Sequence, residues 1–196
     1  MSHSKHHLAR LLTFEVIMQK ISDVISTVPE VFSNELQERA YKALGQLGVS
    51  FERVDNSPAA SMEDCIAIGE KLGCEVVKNI FLCNRQQTFF YLFITRSDKP
   101  FSTKDFGRAL QISRVSFAPA DKLMEMLGAE HGAATVFCLL MDPEHKVRYI
   151  IDKDVLDNLD SIGCPDGTLT CYMKVPKDIL LKIPQLSGHT PTVIEV

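Results

Sequence analysis

Apolar and polar positions along the chain predict helices and strands in alternation, with two hairpins among them. The clearest strand is residues 76–82, where β-branched and aromatic residues occupy both faces. A second apolar run at 88–95 follows a turn-like stretch, so these two runs are predicted to form a β-hairpin. Residues 134–141 and 147–151 have the same character and are predicted to form a second hairpin.

Capping residues mark where the helices begin and end. Asn34 before a helical stripe and Gly48 after it predict a helix between them. Ser61, with Asp64 three residues later, predicts a second helix that stops at Gly73. The same signals predict helices at 8–25, 103–110, 121–127 and 176–183, one helical turn at 154, and strands at 49–54, 114–117, 168–174 and 192–196.

These elements together predict the fold class and the domain division. Mixed helices and strands with consecutive hairpins favour an α+β fold, with a mainly antiparallel, partly closed mixed sheet flanked by helices. A chain of 196 residues can bury a substantial core in one domain. Residues 1–30 are predicted to be an N-terminal helical extension, and residues 31–196 the domain itself.

Composition narrows the class of protein. Apolar residues make up 45% of the chain and charged residues 23%, as in globular proteins. No apolar run reaches the roughly eighteen residues of a membrane span, and charges interrupt residues 8–25, so we expect neither a membrane partner nor a signal peptide. Six cysteines without a C-x-x-C pair predict reduced thiols in a cytoplasmic protein.

The net charge of −4 conceals a basic segment. Residues 71–114 hold eight basic and three acidic residues, so this segment carries +5 and the remainder −9. Proteins that wrap duplex DNA have a larger basic footprint, and we expect no DNA partner. The segment suits a partner with few phosphates in contact, such as the single-stranded end of a tRNA. Chance imbalance on a solvated face is the alternative.

One cation stands inside the predicted strand at 76–82. Lysine is almost never fully buried without a partner, so Lys78 either reaches a sheet edge or lines a cavity. If it lies at an edge, its stem packs on apolar neighbours while the ammonium stays in water.

Common catalytic motifs are missing from the sequence. There is no zinc-binding spacing, no phosphate-binding glycine loop and no G-x-S-x-G serine elbow. No cofactor and no metal are therefore expected. Hydrolysis of an already activated ester remains possible, because it needs mainly a cation, hydrogen-bond donors and a pocket of the right volume.

Six segments in order resemble the YbaK/ProX family, the free-standing relatives of the editing domain of bacterial prolyl-tRNA synthetase. The similarity begins with Val-Lys-Asn-Ile-Phe-Leu at 77–82 and covers about four-fifths of the chain. Its other segments are 90–94, 110–118, 127–128 with 132–140, 147–152 and 187–191. The resemblance implies a curved mixed sheet flanked by helices and an aminoacyl-tRNA deacylase. It also implies the aminoacyl-tRNA acceptor end as a partner, with prolyl-tRNA synthetase as a candidate protein partner.

The resemblance also implies site residues. Lys78 corresponds to the family's required lysine, near the terminal phosphate or the ester, and Asn79 shares its neighbourhood. Because neighbouring strand residues face opposite sides, we assign the pocket to Lys78, and to Asn79 a hydrogen bond to a loop or turn. The other substrate-binding residues implied are Gly132, Ala133, Ala134, Thr135, Val136, Cys164, Pro165 and Thr168. We expect Lys78 and these two loops to converge on one cavity.

Two positions depart from the family pattern. Residues 132–136 align with a G-x-x-x-P loop that shapes the amino-acid pocket, but Val136 replaces the proline. The start of a strand is the alternative for this segment. Relatives have a histidine near the position of Cys164, which is predicted to be a small pocket wall rather than a thiol nucleophile.

Two functions are compatible with this pattern. The first is hydrolysis of a mischarged aminoacyl-tRNA, of the alanyl-tRNA(Pro) type, since a synthetase site rejects smaller apolar amino acids poorly. The second is a non-catalytic module that binds the tRNA end or acts in regulation, and the two departures keep this hypothesis open.

Overall fold

The computed structural model describes residues 20–59 and 61–196, which form two β-sheets with helices packed around them. Helices α1 to α6 are Glu35–Leu47, Met62–Leu72, Thr103–Leu110, Ala120–Leu127, Lys153–Asn158 and Ile179–Ser187, and a 3₁₀ helix spans Val136–Met141. Strands β1 to β9 are Glu52–Asp55, Glu75–Val76, Lys78–Asn84, Phe90–Thr95, Val115–Phe117, Val147–Asp152, Ser161–Pro165, Cys171–Pro176 and Thr192–Ile194.

Local capping explains why the first helices begin and end where they do. The Asn34 side chain accepts a hydrogen bond from the Gln37 backbone N–H at the start of α1. At the start of α2, Ser61 and Asp64 form the expected capping box. Gly48 ends α1 in the left-handed conformation, with φ of 62°. These predicted boundaries are confirmed.

Both sheets are mixed, and neither closes into a barrel. The four-stranded sheet has the order β1-β8-β7-β2, and the five-stranded sheet the order β5-β3-β4-β6-β9. The pairs β3–β4, β3–β5, β1–β8 and β7–β8 are antiparallel, whereas β2–β7, β4–β6 and β6–β9 are parallel. The α+β class and the first hairpin are confirmed.

The largest apolar cluster is the shared core, to which strands of both sheets contribute. On β3 the side chains of Phe81 and Cys83 belong to it. Ile80 and Leu82 alternate with them and pack on the outer face of the five-stranded sheet, against Phe106 of α3. A third, smaller cluster lies between the four-stranded sheet and α2.

The chain crosses from one sheet to the other at Val77. Residues 76–82 were expected to form one strand, but β2 belongs to the four-stranded sheet and β3 to the five-stranded sheet. The Val77 backbone N–H donates to the Gly163 carbonyl oxygen at 2.9 Å. Lys78, the next residue, already pairs with Thr95 across the other sheet. Val77 is therefore the junction between the sheets.

The second predicted hairpin is wrong. Residues 136–141 form the 3₁₀ helix, and β6 pairs in parallel with β4 and β9. The long connection between β4 and β6 permits such a crossover, whereas the apolar pattern does not distinguish a buried strand from a buried turn of helix. Cys164 and Pro165, expected in a loop, are the last two residues of β7, and the last helix begins at Ile179 rather than at Pro176, which ends β8.

The predicted helix at 8–25 falls mostly outside the described residues. From residue 20 to residue 25 the prediction is wrong, because the chain there forms bridges to β1 and the residue after it. Ile25 pairs with Arg53 and Ile21 with Asn56, both antiparallel. Among the described residues, no helix is both long and apolar enough to span a bilayer.

Candidate functional site

Lys78 is the first residue of β3, and its side chain lies on the outer face of the five-stranded sheet. It follows the same alternation as Ile80 and Leu82, which pack in the outer cluster. Its Nζ donates to the Lys99 carbonyl oxygen at 2.6 Å, and the side chain is partly buried. Among residues 20–59 and 61–196, no carboxylate lies within ion-pair distance of this ammonium. Lys78 is thus a cation held by a neutral acceptor.

The neighbouring Lys99 is in the opposite situation. Its Nζ lies 2.8 Å from Oδ2 of Asp152 and 2.7 Å from Oδ2 of Asp154. Burial alone would lower the pKa of Lys99, but hydrogen bonds and charge from the two carboxylates raise it overall. The Thr95 hydroxyl also donates to Asp152, at 2.6 Å. The charge of Lys99 is therefore balanced, and that of Lys78 is not.

Asn79 faces the shared core, on the same side of β3 as Phe81 and Cys83. Its Nδ2 donates to the Val77 carbonyl oxygen at 3.3 Å, a local bond of the kind expected for it. Its Oδ1 is buried and has no hydrogen-bond partner in the described part of the chain. The two neighbours do face opposite sides, but the side with the predicted loops belongs to Asn79. The structure does not bring Lys78 together with those loops.

The segment 132–136 is a loop that leads into the 3₁₀ helix, and not the start of a strand. Gly132 has φ of 93°, and a Cβ there would lie 3.1 Å from Cδ2 of Leu169. Only glycine therefore fits this position without strain. Gly132 is exposed, whereas the next four residues are buried: Ala133, Ala134, Thr135 and Val136. Val136, one of the two predicted departures from the family pattern, is the first residue of the 3₁₀ helix.

The second predicted loop is a strand end followed by a turn. Cys164 and Pro165 lie in β7, and Asp166 begins the turn. The Asp166 carboxylate accepts hydrogen bonds from Gln37 Nε2 at 2.7 Å and from the Thr168 hydroxyl at 2.8 Å. The Thr168 backbone N–H donates to it as well, at 3.1 Å. Asp166 is fully buried, so these donors replace its hydration and fix the turn.

Thr135 and Cys164 bring the two predicted segments together. Burial raises the pKa of the Cys164 thiol to about 12, while the nearby Thr135 hydroxyl lowers it a little. The Thr135 oxygen faces the Cys138 backbone N–H at the start of the 3₁₀ helix but makes no hydrogen bond of normal geometry to any described residue. A thiol protonated at neutral pH is a poor nucleophile, which favours the interpretation of Cys164 as a wall.

Tyr149 of β6 lies in the same core and was not identified from the sequence. Burial raises the pKa of the Tyr149 hydroxyl well above its usual value, and the nearby Cys164 raises this pKa further. The Tyr149 hydroxyl, like the Thr135 oxygen, is buried without a partner in the described residues. The sequence pattern could not identify Tyr149 as a site residue, because a tyrosine ring fits an apolar strand whether or not its hydroxyl has a hydrogen-bond partner.

A third segment, the turn at 56–59, meets the other two. The Asn56 backbone N–H donates to the Thr170 carbonyl oxygen at 2.8 Å, and its Nδ2 to that of Leu169 at 3.1 Å. Ala59 N–H also donates to the Leu169 carbonyl, at 3.2 Å. Since Leu169 also contacts Gly132, segments 56–59, 130–135 and 166–170 form one unit, called here the three-loop cluster. Asn56 Oδ1 is again buried without a partner among the described residues.

Four buried polar atoms without partners are thus found in the described chain, on Asn56, Asn79, Thr135 and Tyr149. Two belong to the three-loop cluster, and the other two, on β3 and β6, face the shared core. Buried polar atoms are nearly always paired, so each such atom calls for an explanation. A cleft of about 580 Å³ adjoins the cluster, lined by Asn56, Arg53 and Thr170 among others. No group of three potential metal ligands occurs within the described residues.

Comparison with known proteins places this arrangement in a family. Residues 56–183 match the aminoacyl-tRNA editing domain. The chain is 24% identical over 153 residues to "Prolyl-tRNA editing protein ProX" of Acetoanaerobium sticklandii, covering 78% of this chain and 93% of that protein. It is 23% identical over 165 residues to the mouse "Prolyl-tRNA synthetase associated domain-containing protein 1", covering 82% and 96%.

Solved structures agree on the fold. The crystal structure of a candidate trans-editing enzyme for prolyl-tRNA synthetase superimposes with a TM-score of 0.59 at 16% identity. The match covers 84% of this chain and 99% of that protein.

Proposed function

The chain belongs to the YbaK/ProX family of aminoacyl-tRNA editing domains, and from this we propose that it hydrolyses the ester of a mischarged aminoacyl-tRNA. The observation that supports this most directly is the set of four unpartnered buried polar atoms at and beside the three-loop cluster. An amino acid held there would supply the hydrogen bonds that Asn79, Thr135 and Tyr149 lack. Such atoms remain unpaired in a folded protein at a cost, which a ligand would remove.

The placement of Lys78 and Asn79 suggests how the substrate lies. β3 pairs with β5 only over Leu82–Asn84, so at Lys78 it is the edge of the five-stranded sheet. A tRNA end that crosses this edge would place a phosphate on Lys78 and the aminoacyl group beside Asn79. In this arrangement Lys78 is the catalytic cation, stabilising phosphate or developing oxyanion charge.

The chemical step requires no covalent intermediate with the protein. Water adds to the ester carbonyl carbon, and the bond between that carbon and the ribose oxygen breaks. The ribose oxygen takes up a proton as it leaves and becomes a hydroxyl, so the products are free amino acid and uncharged tRNA. The neighbouring ribose hydroxyl helps to position the water. The protonated Cys164 thiol acts as a wall of the site.

Small side chains around the site favour a small amino acid. Gly132, Ala133 and Ala134 line one segment, and Cys164 faces Thr135 from the other. Alanine attached to the proline tRNA is the substrate that we propose, since a second site that admits only smaller products corrects what a synthetase cannot reject. The named relatives support prolyl-tRNA synthetase as a partner. We propose action in the cytoplasm.

Single-turnover deacylation tests this proposal. Proline tRNA charged with alanine, serine or proline is mixed with excess protein, and the remaining ester is measured over time. We expect alanine to be released fastest and proline to be spared, with the same rates in the presence of EDTA. Failure to accelerate hydrolysis of any charged tRNA, while tRNA still binds, would favour the non-catalytic module instead.

A further inference from the structure

A basic groove lies on the same outer face as Lys78, along helix α3. It has a volume of about 390 Å³ and is lined by the exposed side chains of Lys104, Arg108 and Arg114, together with Thr103, Gly107 and Ile112. Arg108 pairs with Asp105 of the same helix, but no described carboxylate lies within ion-pair distance of Lys104 or Arg114. No acidic residue lines the groove, so its three cations, of which one is paired with Asp105, give it a net positive charge.

An exposed aromatic ring stands beside this groove. Phe117, on the edge strand β5, is 66% exposed and lies on the same face as Val115, which packs in the outer cluster. Its ring contacts Phe101 at 5.8 Å between centroids, and Phe101 contacts Phe106 of α3 at 6.1 Å. One side of the Phe117 ring therefore packs against Phe101, while most of the ring is open to solvent.

We propose that this outer face, from the groove past Phe117 to Lys78, binds the single-stranded 3′ end of an RNA. Basic side chains would hold successive phosphates, and Phe117 would stack on an unpaired base, which is how single strands are bound without sequence readout. Lys78 fits the same path, because its partner Lys99 lies only two residues from Phe101. The inference takes its RNA partner from the proposed function, but its test uses uncharged tRNA and does not depend on hydrolysis.

The groove is tested with a triple variant, Lys104→Ala, Arg108→Ala and Arg114→Ala. Its control removes the same charge from exposed, ion-paired lysines elsewhere, with Lys42→Ala, Lys146→Ala and Lys182→Ala. Affinity for uncharged tRNA is measured by fluorescence anisotropy at several salt concentrations. We expect the groove variant to bind at least about tenfold more weakly, with a salt slope smaller by about two, the value for three lost phosphate contacts. The control variant should bind like the parent protein.

The stacking ring is tested with Phe117→Ala, and the control is Phe89→Ala, which removes another exposed ring (57%). We expect Phe117→Ala to weaken binding about tenfold without changing the salt slope. Phe117→Trp should restore the affinity. For tRNA trimmed of its unpaired 3′ nucleotides, Phe117→Ala should have no effect.

The outcomes separate this inference from the proposed function. Groove-dependent binding without deacylation by the parent protein supports this inference and overturns the proposed function. An active parent protein whose groove variant binds tRNA normally overturns this inference and leaves the function intact. Binding of polyglutamate that is lost in the groove variant while tRNA binding is kept would identify the face as a protein-docking surface and overturn the proposal.

Discussion

The two faces of the five-stranded sheet satisfy their polar groups in opposite ways. On the outer face, the charge of Lys99 is balanced by Asp152 and Asp154, and the buried carboxylate of Asp152 also receives a hydrogen bond. On the inner face, the Asn79 and Tyr149 oxygens are buried without described partners. The outer network stabilises the fold, whereas the inner oxygens obtain hydrogen bonds only if a ligand binds beside them. Sequence neighbours such as Lys78 and Asn79 can thus have unrelated surroundings.

Lys78 is the exception on the outer face, and its removal should give the largest effect on rate. We expect Lys78→Ala to lower the single-turnover rate about 10²–10³-fold, the scale for one lost preorganised electrostatic contact. Stability should hardly change, because this cation has no carboxylate partner among the described residues. Lys78→Arg should restore only part of the rate.

Lys99→Ala is the matched control for that experiment. It should leave the rate nearly unchanged and destabilise the fold, since it removes the counter-charge of the buried Asp152. A Lys78→Ala protein that hydrolyses normally but unfolds early would show that Lys78 is an edge lysine that only packs on its neighbours.

Asp152 should matter most for stability. Its side chain is fully buried, and Asp152→Ala would remove the acceptor of the Thr95 hydroxyl and one of the two carboxylates that balance Lys99. We expect a loss of about 2–3 kcal/mol in the free energy of unfolding in urea. Asp154→Ala breaks a more exposed pair to the same lysine and should cost less than about 1 kcal/mol. Equal losses from the two variants would contradict the outer network described here.

Substitutions on the inner face should affect the deacylation rate more than the stability of the fold. Thr135→Val and Tyr149→Phe each remove an unpartnered hydroxyl, so stability should stay the same or rise by up to about 1 kcal/mol. The deacylation rate should nevertheless fall about tenfold if these groups bind the aminoacyl end. Thr168→Val is the control, because its hydroxyl is bonded to Asp166 and its loss should destabilise the fold. Normal rates in both inner-face variants would place the substrate elsewhere.

A smaller effect is expected from the buried thiols at high pH. Burial raises the pKa of Cys164 from 9.0 to about 12, so above pH 9 the unfolded chain releases this proton while the folded chain keeps it. Stability is therefore complete below pH 9 and falls as the pH rises towards 12. Between pH 9 and pH 10, the free energy of unfolding measured in urea should fall by about 1 kcal/mol less for Cys164→Ala than for the parent protein. If the free energies of unfolding of the two proteins fall in parallel as the pH rises, the thiol is not shielded from water.

Local signals predicted where the capped helices α1 and α2 begin and end, and long-range pairing accounts for most of the errors in the strands. The caps at Asn34 and Ser61 act within a few residues, so the sequence contains what they need. The parallel pairing of β6 with β4 depends on a crossover that no window of residues records. Residues 136–141 are apolar throughout, which leaves strand and 3₁₀ helix indistinguishable by pattern.

The candidate site shows a similar limit. Alternation requires that Lys78 and Asn79 face opposite sides, as the sequence predicted. The sequence does not show which of the two residues lies on the side of the loops. Ile80 and Phe81, the next residue on each side of the strand, are both apolar, so neither side can be identified as the shared core. The answer depends on where the second sheet packs. The unpartnered state of Tyr149 depends in the same way on packing around its hydroxyl.

The junction at Val77 has a consequence for how the domain opens. Its N–H is bonded to one sheet through Gly163, and the next residue is paired in the other sheet with Thr95. Local unfolding at this end of one sheet should therefore break hydrogen bonds in the other sheet as well. Amide hydrogens on both sides of the junction should then exchange with solvent as one cooperative unit. An RNA end bound across the edge of β3 would then slow exchange in the four-stranded sheet as well, in strands that it does not touch.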